Sequence, residues 1–255
     1  MKLKNIVIII LRKLMYFYYS VYFKLFKLPR LIFVISTMRS YTSVFSHILG
    51  SHKEILGKGE RHLEYGNLDY KDHIFECLFQ KRSFFPRYRF ILDNVNWDGQ
   101  EPMGEFLDSK KDNAKIIFLL RNPNDTLASI IKRGGLNWYD ISNYYLKRLQ
   151  SISILKDKLT NKSINYLYIE AEGFILNRDK YLNKISKYLG LNSTLIDRYK
   201  TDKLTGHSGY SDDSKNIFSK KLLDRPVIHE EIKHDISEHL KLYHDVTAQL
   251  NKDSV

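Results

Sequence analysis

The strongest constraint on the fold comes from one stretch in the first fifth of the chain. An apolar run at 31–35 is followed by a polar segment at 36–43 and then by apolar residues at helical spacing over 44–49. A short run of β-branched and aromatic residues is typical of a buried strand in a parallel sheet, and the change of spacing indicates an amphipathic helix that covers it. The stretch therefore predicts a strand, a polar turn and a helix.

The polar turn carries side chains that suit anion binding, namely Arg39, Ser40, Thr42 and Ser43. The amino end of a helix adds unpaired N–H groups and the positive end of the helix dipole. The turn therefore predicts a cradle for phosphate or sulfate. The same hydroxyls could instead cap the helix, with Arg39 in a surface ion pair, and the turn alone leaves both interpretations open. It contains no Gly-Lys-[Ser/Thr] of the Walker type.

Strand and helix patterns alternate along the rest of the chain. Further strands are predicted at 88–93, 115–120 and 164–169, and further helices at 69–79, 123–131, 141–158, 180–189 and 229–250. The glycine-containing segments 51–65 and 203–218 are predicted to be loops. Alternating strands and helices predict an α/β fold, a three-layer α/β/α sandwich with a central parallel sheet.

The positive charge of the chain is concentrated in its first part. The formal net charge is +12, and nine Lys and Arg residues but no Asp or Glu occur before Glu54. A protein that binds nucleic acid through its body would spread this charge over one face of that body. We therefore expect a basic arm and no nucleic-acid partner.

Residues 1–29 are interpreted as a membrane-associating segment, and residues 30–255 as one domain. Arg12 and Lys13 interrupt the apolar run, whereas a spanning helix needs about 20 predominantly apolar residues. An amphipathic helix lying on an anionic membrane surface is the first expectation; a secretory signal or signal anchor, and a helix packed on the domain, are the alternatives. The single cysteine, Cys77, fits a reducing compartment and a place in the core. We expect a cytoplasmic, peripherally membrane-associated protein.

A second candidate anion site follows the strand at 115–120. Arg121 comes directly after this strand, and Ser129 lies about two turns into the next helix, which Asn122 is placed to cap. An arginine and a hydroxyl at this spacing can hold one phosphate from two sides. The alternative is an ion pair between Arg121 and Asp125, with Ser129 as a neutral helix residue.

Together, these motifs resemble those of the sulfotransferases that use 3′-phosphoadenosine 5′-phosphosulfate (PAPS). The turn resembles the 5′-phosphosulfate loop of that family, Pro-[Arg/Lys]-Ser-Gly-Thr-[Thr/Ser], from which Met38 and Tyr41 depart. Tyr41 stands where the family has glycine, so it would be strained if the backbone there has a positive φ. The run 116–129 resembles the 3′-phosphate site, an apolar strand followed by Arg-[Asp/Asn]-Pro and then Ser.

Two later segments also resemble that family. Lys203, Gly206 and Gly209 resemble its Arg-Lys-Gly-x-x-Gly loop, which closes over the nucleotide, although the lysine lies two residues before the usual place. The segment 172–191 resembles a Glu-Asp-Leu segment and the helix after it, which ends in Leu-Gly-Leu.

The resemblance implies a P-loop-like fold and sulfuryl transfer from PAPS, with 3′,5′-ADP as product and no metal. It implies these cofactor-binding residues: Arg39, Ser40, Tyr41, Thr42, Ser43, Arg121, Ser129, Lys203, Gly206 and Gly209. Arg39 would also neutralise charge on the leaving phosphate, and a base must take the proton of the acceptor. Glu60, in a Gly-Glu loop that resembles that of the tyrosylprotein and several bacterial carbohydrate enzymes, is the expected base; His62, Glu64 and His52 are alternatives.

The acceptor is expected to be a hydroxyl of a carbohydrate or glycolipid, because of the membrane segment and the form of the Glu60 loop. Aromatic side chains that could stack on a sugar are Trp97, Trp138, Tyr144 and Tyr145. Two other functions stay open. A nucleotide-dependent kinase of similar fold would prefer ATP, and a non-catalytic membrane-associated module would bind no nucleotide.

Overall fold

The structure is a computed structural model, which describes residues 2–57, 70–80, 87–96, 114–201, 205, 215–222 and 232–255. In chain order its helices and strands are α1 Lys2–Leu25, β1 Arg30–Ser36, α2 Thr42–Leu49, β2 Ile55–Leu56, α3 Tyr70–Gln80, β3 Phe90–Val95, β4 Ala114–Leu120, α4 Pro123–Arg133, α5 Trp138–Asn161, β5 Tyr166–Glu170, α6 Ala171–Leu176, α7 Arg178–Leu189, a 3₁₀ turn Lys215–Ser219 and α8 Ser237–Asp253.

The five strands form one parallel sheet in the order β2-β3-β1-β4-β5. Side chains of β1 alternate between the two faces: Leu31 and Phe33 pack with α1, α3, α5 and α8, whereas Ile32 and Val34 pack with α2, α6 and α7. Helices therefore cover both faces of the sheet, and the predicted three-layer α/β/α sandwich is confirmed.

Most predicted elements are present, and the differences have local causes. The strand β5 begins at Tyr166 because Ile164 donates its N–H to Leu159 O and closes the helix α5. The helix α8 begins at Ser237, later than predicted, where the side chain of Asp235 accepts from the N–H of Ser237. The strand β2 falls inside a predicted loop, because two residues are too few to show a pattern.

The helix α1 packs on the domain along one of its faces. Tyr19 is fully buried, and its ring and that of Phe23 contact the ring of Phe75 in α3. Arg12 and Tyr16 both bond the carboxylate of Glu76. The alternative of a helix packed on the domain is therefore confirmed for this face.

The apolar part of α1 is longer than predicted from the sequence. Asn5–Leu25 is long and apolar enough to cross a membrane by length and composition alone, and 6% of an 18-residue window within it is buried. This corrects the prediction that a spanning helix fits poorly, since two adjacent basic residues do not disqualify a segment of 21 residues. A signal sequence meets the same criterion. Cys77 in α3 is 1% exposed and lies in the core, as predicted.

Candidate functional site

The two candidate anion motifs lie at one edge of the sheet. β1 and β4 are neighbouring parallel strands, with Ser36 opposite Leu119. Their carboxyl ends therefore lie side by side, and the residues that follow them, 37–41 and 121–122, lie where ligands bind in open α/β sheets. Each motif follows its strand as predicted, and the pairing of β1 with β4 brings the two motifs together.

The loop after β1 is held by buried hydroxyl groups. The Oγ atoms of Thr37 and Ser40 are 2.6 Å apart, and both side chains are fully buried. The N–H of Met38 donates to the hydroxyl of Tyr144 at 2.8 Å, and that hydroxyl donates to Asn96 O at 2.7 Å. The loop is therefore fixed both within itself and against the helix α5.

Two residues of this loop have left-handed backbone conformations. Arg39 has φ 62°, and Tyr41 has φ 61° and ψ 17°. The prediction of strain at Tyr41 is confirmed, since a residue other than glycine rarely adopts this region. The conformation brings the chain into α2, where the N–H of Phe45 donates to Tyr41 O at 3.0 Å. The N–H groups that precede Phe45 in α2 have no acceptor within the helix, and they lie at its amino end.

Arg39 and Arg121 join the two motifs directly. The Nε of Arg39 donates to Ser129 Oγ at 3.0 Å, and Nη1 of Arg121 donates to Arg39 O at 3.1 Å. The guanidinium carbon of Arg121 also lies 4.5 Å from the ring centre of Tyr41. Ser129 therefore contacts Arg39 across the site. The alternative ion pair between Arg121 and Asp125 is also present, at 3.9 Å.

The surroundings of Arg121 are polar and largely buried. Its carbonyl oxygen accepts from the hydroxyl of Tyr145 at 3.2 Å, whereas its Nε is buried with no hydrogen-bond partner among the described residues. The next residue, Asn122, caps α4 through its side chain and donates its own N–H to Glu172 at 2.9 Å. Burial raises the pKa of Glu172, although that hydrogen bond and the charge of Arg121 act in the opposite direction. An unsatisfied buried donor on Arg121 is a feature expected of an anion site.

Arg148, a 4% exposed arginine in α5, lies beside the site and was not predicted from the sequence. Its Nε donates to Ser36 O at 2.8 Å and its Nη2 to Val95 O at 2.5 Å, so it ties together the carboxyl ends of β1 and β3. The sequence did indicate that Arg148 faces the core, because it follows the apolar residues Ile141 and Tyr145 at helical spacing.

Several predicted site residues fall outside the described part of the chain, namely Glu60, His62, Glu64, Lys203, Gly206 and Gly209. His52 is described, and it lies three residues before β2, at the amino edge of the sheet. Its Nε2 is 2.8 Å from Ser193 Oγ. The structure therefore does not bring His52 to the loop after β1, because α2 separates the two.

The four aromatic candidates for sugar contact have different environments. Tyr145 is fully buried and Tyr144 holds the loop after β1, so both serve the protein scaffold. Trp138 stacks on His234, with ring centres 4.3 Å apart. Trp97 is outside the described residues. Among the residues that the structure describes, no cluster of three His, Cys, Asp or Glu side chains could hold a metal.

The comparisons with known proteins agree with this architecture. No protein-family model and no curated protein sequence matches the chain. Among solved structures, the sulfotransferase domain from the curacin biosynthetic pathway matches with a TM-score of 0.59 and 16% identity, covering 89% of this chain and 99% of that one. The sulfotransferase domain from the Synechococcus PCC 7002 olefin synthase matches with a TM-score of 0.55 and 16% identity, covering 88% and 96%. This chain has the fold of these sulfotransferase domains. The fold expected from the loop and the Arg121 motif is thereby confirmed.

Proposed function

We propose that the chain is a sulfotransferase that moves the sulfuryl group of PAPS to a hydroxyl of a carbohydrate or glycolipid and releases 3′,5′-ADP. The observation that carries the proposal is the contact between the two anion motifs, in which Arg39 bonds Ser129 and Arg121 bonds the backbone of Arg39. A bisphosphorylated nucleotide needs two anion sites close together, and the sulfotransferase fold supports the assignment.

The residues present fit such a nucleotide, because each motif supplies hydrogen-bond donors to an anion. In the proposal, the 5′-phosphosulfate is held by Arg39, Ser40, Tyr41, Thr42 and Ser43, the 3′-phosphate by Arg121 and Ser129, and the nucleotide is covered by Lys203, Gly206 and Gly209. The buried Nε of Arg121, which has no partner among the described residues, supports its role.

When bound, PAPS supplies an activated sulfuryl group, whose transfer breaks the bond from sulfur to the 5′-phosphate oxygen and forms a bond to the acceptor oxygen. Arg39 and the N–H groups at the amino end of α2 stabilise the negative charge on that phosphate oxygen. Glu60 accepts the proton of the acceptor hydroxyl. No metal takes part in the proposed reaction.

We also propose that the protein works at the cytoplasmic surface of an anionic membrane. The support is the basic, apolar first segment of the chain, which forms a helix with most of its surface exposed. A membrane location favours an acceptor that is itself attached to a lipid or a cell-surface polymer.

Calorimetric titration with 3′,5′-ADP, 5′-AMP and ATP tests the donor. The full chain is used, because Tyr19 of α1 is buried in the core. We expect micromolar binding of 3′,5′-ADP and binding of 5′-AMP that is weaker by about tenfold or more, since the 3′-phosphate forms charged hydrogen bonds. Tighter binding of ATP would favour the kinase, and no binding of any nucleotide would favour the non-catalytic module.

Arg121→Ala tests the 3′-phosphate site. This variant should lose the preference for 3′,5′-ADP over 5′-AMP, because the 3′-phosphate contact contributes only to binding of 3′,5′-ADP, by about tenfold or more. The loss of the bond to Arg39 O and of the contact with the Tyr41 ring should weaken both nucleotides alike. Arg133→Ala, which removes an exposed arginine from the far end of α4, is the matched control and should bind as the parent does. An unchanged preference for 3′,5′-ADP in Arg121→Ala would contradict the assignment.

Glu60→Gln tests the base. Its affinity for 3′,5′-ADP should be close to that of the parent, whereas consumption of PAPS in the presence of a carbohydrate acceptor should fall by about a hundredfold or more. Glu64→Gln, which changes an alternative base, should keep the turnover of the parent; a collapse of turnover in this variant instead would assign the base to Glu64. Equal losses of affinity and of turnover would mean that Glu60 has a structural role.

A further inference from the structure

Between Arg12 and Phe23 the helix α1 has one face packed on the domain and an opposite face that is apolar and exposed, whereas residues 5–11 are exposed on every face. Tyr16, Tyr19 and Phe23, at spacings of three and four, contact α3. Phe17 is two residues from Tyr19, which places it about 160° around the helix axis. The two side chains therefore point to opposite sides of the helix.

The exposed face is a continuous apolar stripe. Its residues recur every three or four positions and have exposed fractions between 45% and 79%. They are Val7, Ile10, Leu14, Phe17, Val21 and Leu25. No charged side chain interrupts the stripe, and a patch of this length on a folded protein marks an interaction surface.

The charged side chains of α1 itself are all positive. Lys13 and Lys24 are exposed along one border of it, and α1 contains no acidic residue. Arg12 lies on the opposite side of the helix and bonds Glu76 of α3. An apolar stripe with lysines at its border complements an anionic lipid surface, where the lysines reach the headgroups.

We propose that α1 docks on an anionic membrane through this stripe, lying along the surface while it stays packed on α3. The inference builds on the membrane location proposed above and adds which face binds and how. It is independent of the chemistry at the candidate site.

Two observations favour this arrangement over other uses of the helix. A helix that crossed the membrane would have to leave α3, which would expose Tyr19 and break the bonds from Arg12 and Tyr16 to Glu76. Pairing with a second copy would bring two acid-free basic helices together, so that like charges would meet. Docking on anionic lipid keeps the contacts with α3 and pairs the charges.

The stripe and the candidate site can be tested separately, because the side chains of the stripe point away from the domain. Tyr19 faces α3, and Phe17 lies on the opposite side of the helix and is 72% exposed. Changes in the stripe should therefore leave nucleotide affinity unaltered.

The test is co-sedimentation of the full chain with vesicles of phosphatidylcholine containing about one third phosphatidylglycerol, and with vesicles of phosphatidylcholine alone. The parent should partition into the anionic vesicles, and the double variant Leu14→Gln with Phe17→Gln should partition about tenfold or more weakly. Ser20→Gln, an exposed position of α1 outside the stripe, is the matched control and should behave as the parent. All three proteins should bind 3′,5′-ADP with equal affinity.

Three results would overturn the docking proposal. Equal vesicle binding by the parent and the double variant would exclude the stripe, and resistance of the bound parent to alkaline carbonate would show that the helix spans the bilayer. A dimer in light scattering that the double variant abolishes, without vesicle binding by the parent, would assign the stripe to a second copy. Normal vesicle binding without nucleotide binding would refute the proposed enzymatic function alone.

Discussion

Replacement of Tyr41 gives a test of the loop in which two structural effects have opposite signs. Its left-handed backbone, with φ 61°, costs a residue other than glycine about 1 kcal/mol. Its ring lies 4.5 Å from the guanidinium carbon of Arg121, a cation–π contact that contributes about 1–2 kcal/mol in a partly desolvated site. We therefore expect the two effects nearly to cancel in the parent protein.

Three variants separate the two effects. Tyr41→Phe keeps both the ring and the unfavourable φ, so it is the reference for the other two variants. Tyr41→Ala loses the ring but keeps the unfavourable φ, so it should lose about 1–2 kcal/mol. Tyr41→Gly loses the ring but is relieved of the strain, so it should be more stable than Tyr41→Ala by about 1 kcal/mol.

Urea unfolding measures these differences, and in thermal unfolding 1 kcal/mol corresponds to about 2–4 °C for a chain of this size. Titration with 3′,5′-ADP is the second assay. Tyr41→Gly and Tyr41→Ala should both bind the nucleotide several-fold more weakly than Tyr41→Phe, because Arg121 is no longer held by the ring. Equal stability of Tyr41→Ala and Tyr41→Gly would show that the backbone at this position carries no strain.

Two further predictions concern the polar groups around the site. Arg148→Met removes the donors to Ser36 O and Val95 O inside the protein, so it should lower the free energy of unfolding by about 2–4 kcal/mol in urea; a loss below about 1 kcal/mol would mean that the two carbonyl groups find other donors. Glu172→Gln should change the stability of the protein only at higher pH. Burial raises the pKa of Glu172, so the parent loses stability as pH rises from its ordinary value of 4.5 through the raised value, whereas the glutamine does not titrate and keeps an oxygen for the N–H of Asn122. The melting temperatures of parent and variant should therefore be similar near pH 4 and diverge in favour of the variant as pH rises; parallel curves would contradict this.

The parts of the fold that the sequence predicts well are those set by local interactions. Asn122 caps α4 through its own side chain, and Gly190 ends α7 with a left-handed φ of 63°. In both cases a residue type has one strong conformational preference at a helix end. The strands β1 and β4 are also predicted from local sequence, because an uninterrupted apolar run is typical of a strand buried on both faces.

Contacts between distant residues were not predictable in the same way. Spacing along the chain placed Ser129 with Arg121, but in the folded protein the Nε of Arg39, ninety positions earlier, is the group that bonds it. The link depends on β1 and β4 being neighbours, which no local pattern specifies. The contact between Tyr19 and Phe75 was also not predictable, because it joins distant parts of the chain. An aromatic, basic segment suits a membrane and a protein surface equally well.

The burial of Cys77 has a practical consequence for spectroscopy. The only thiol of the chain is 1% exposed in the core, so thiol reagents will react with it far more slowly than with a cysteine introduced on the surface. A nitroxide or fluorophore attached at a single new cysteine on α1 would therefore report from that position alone. Such labels, moved one residue at a time around the helix, would give the immersion depth of each side chain in native protein.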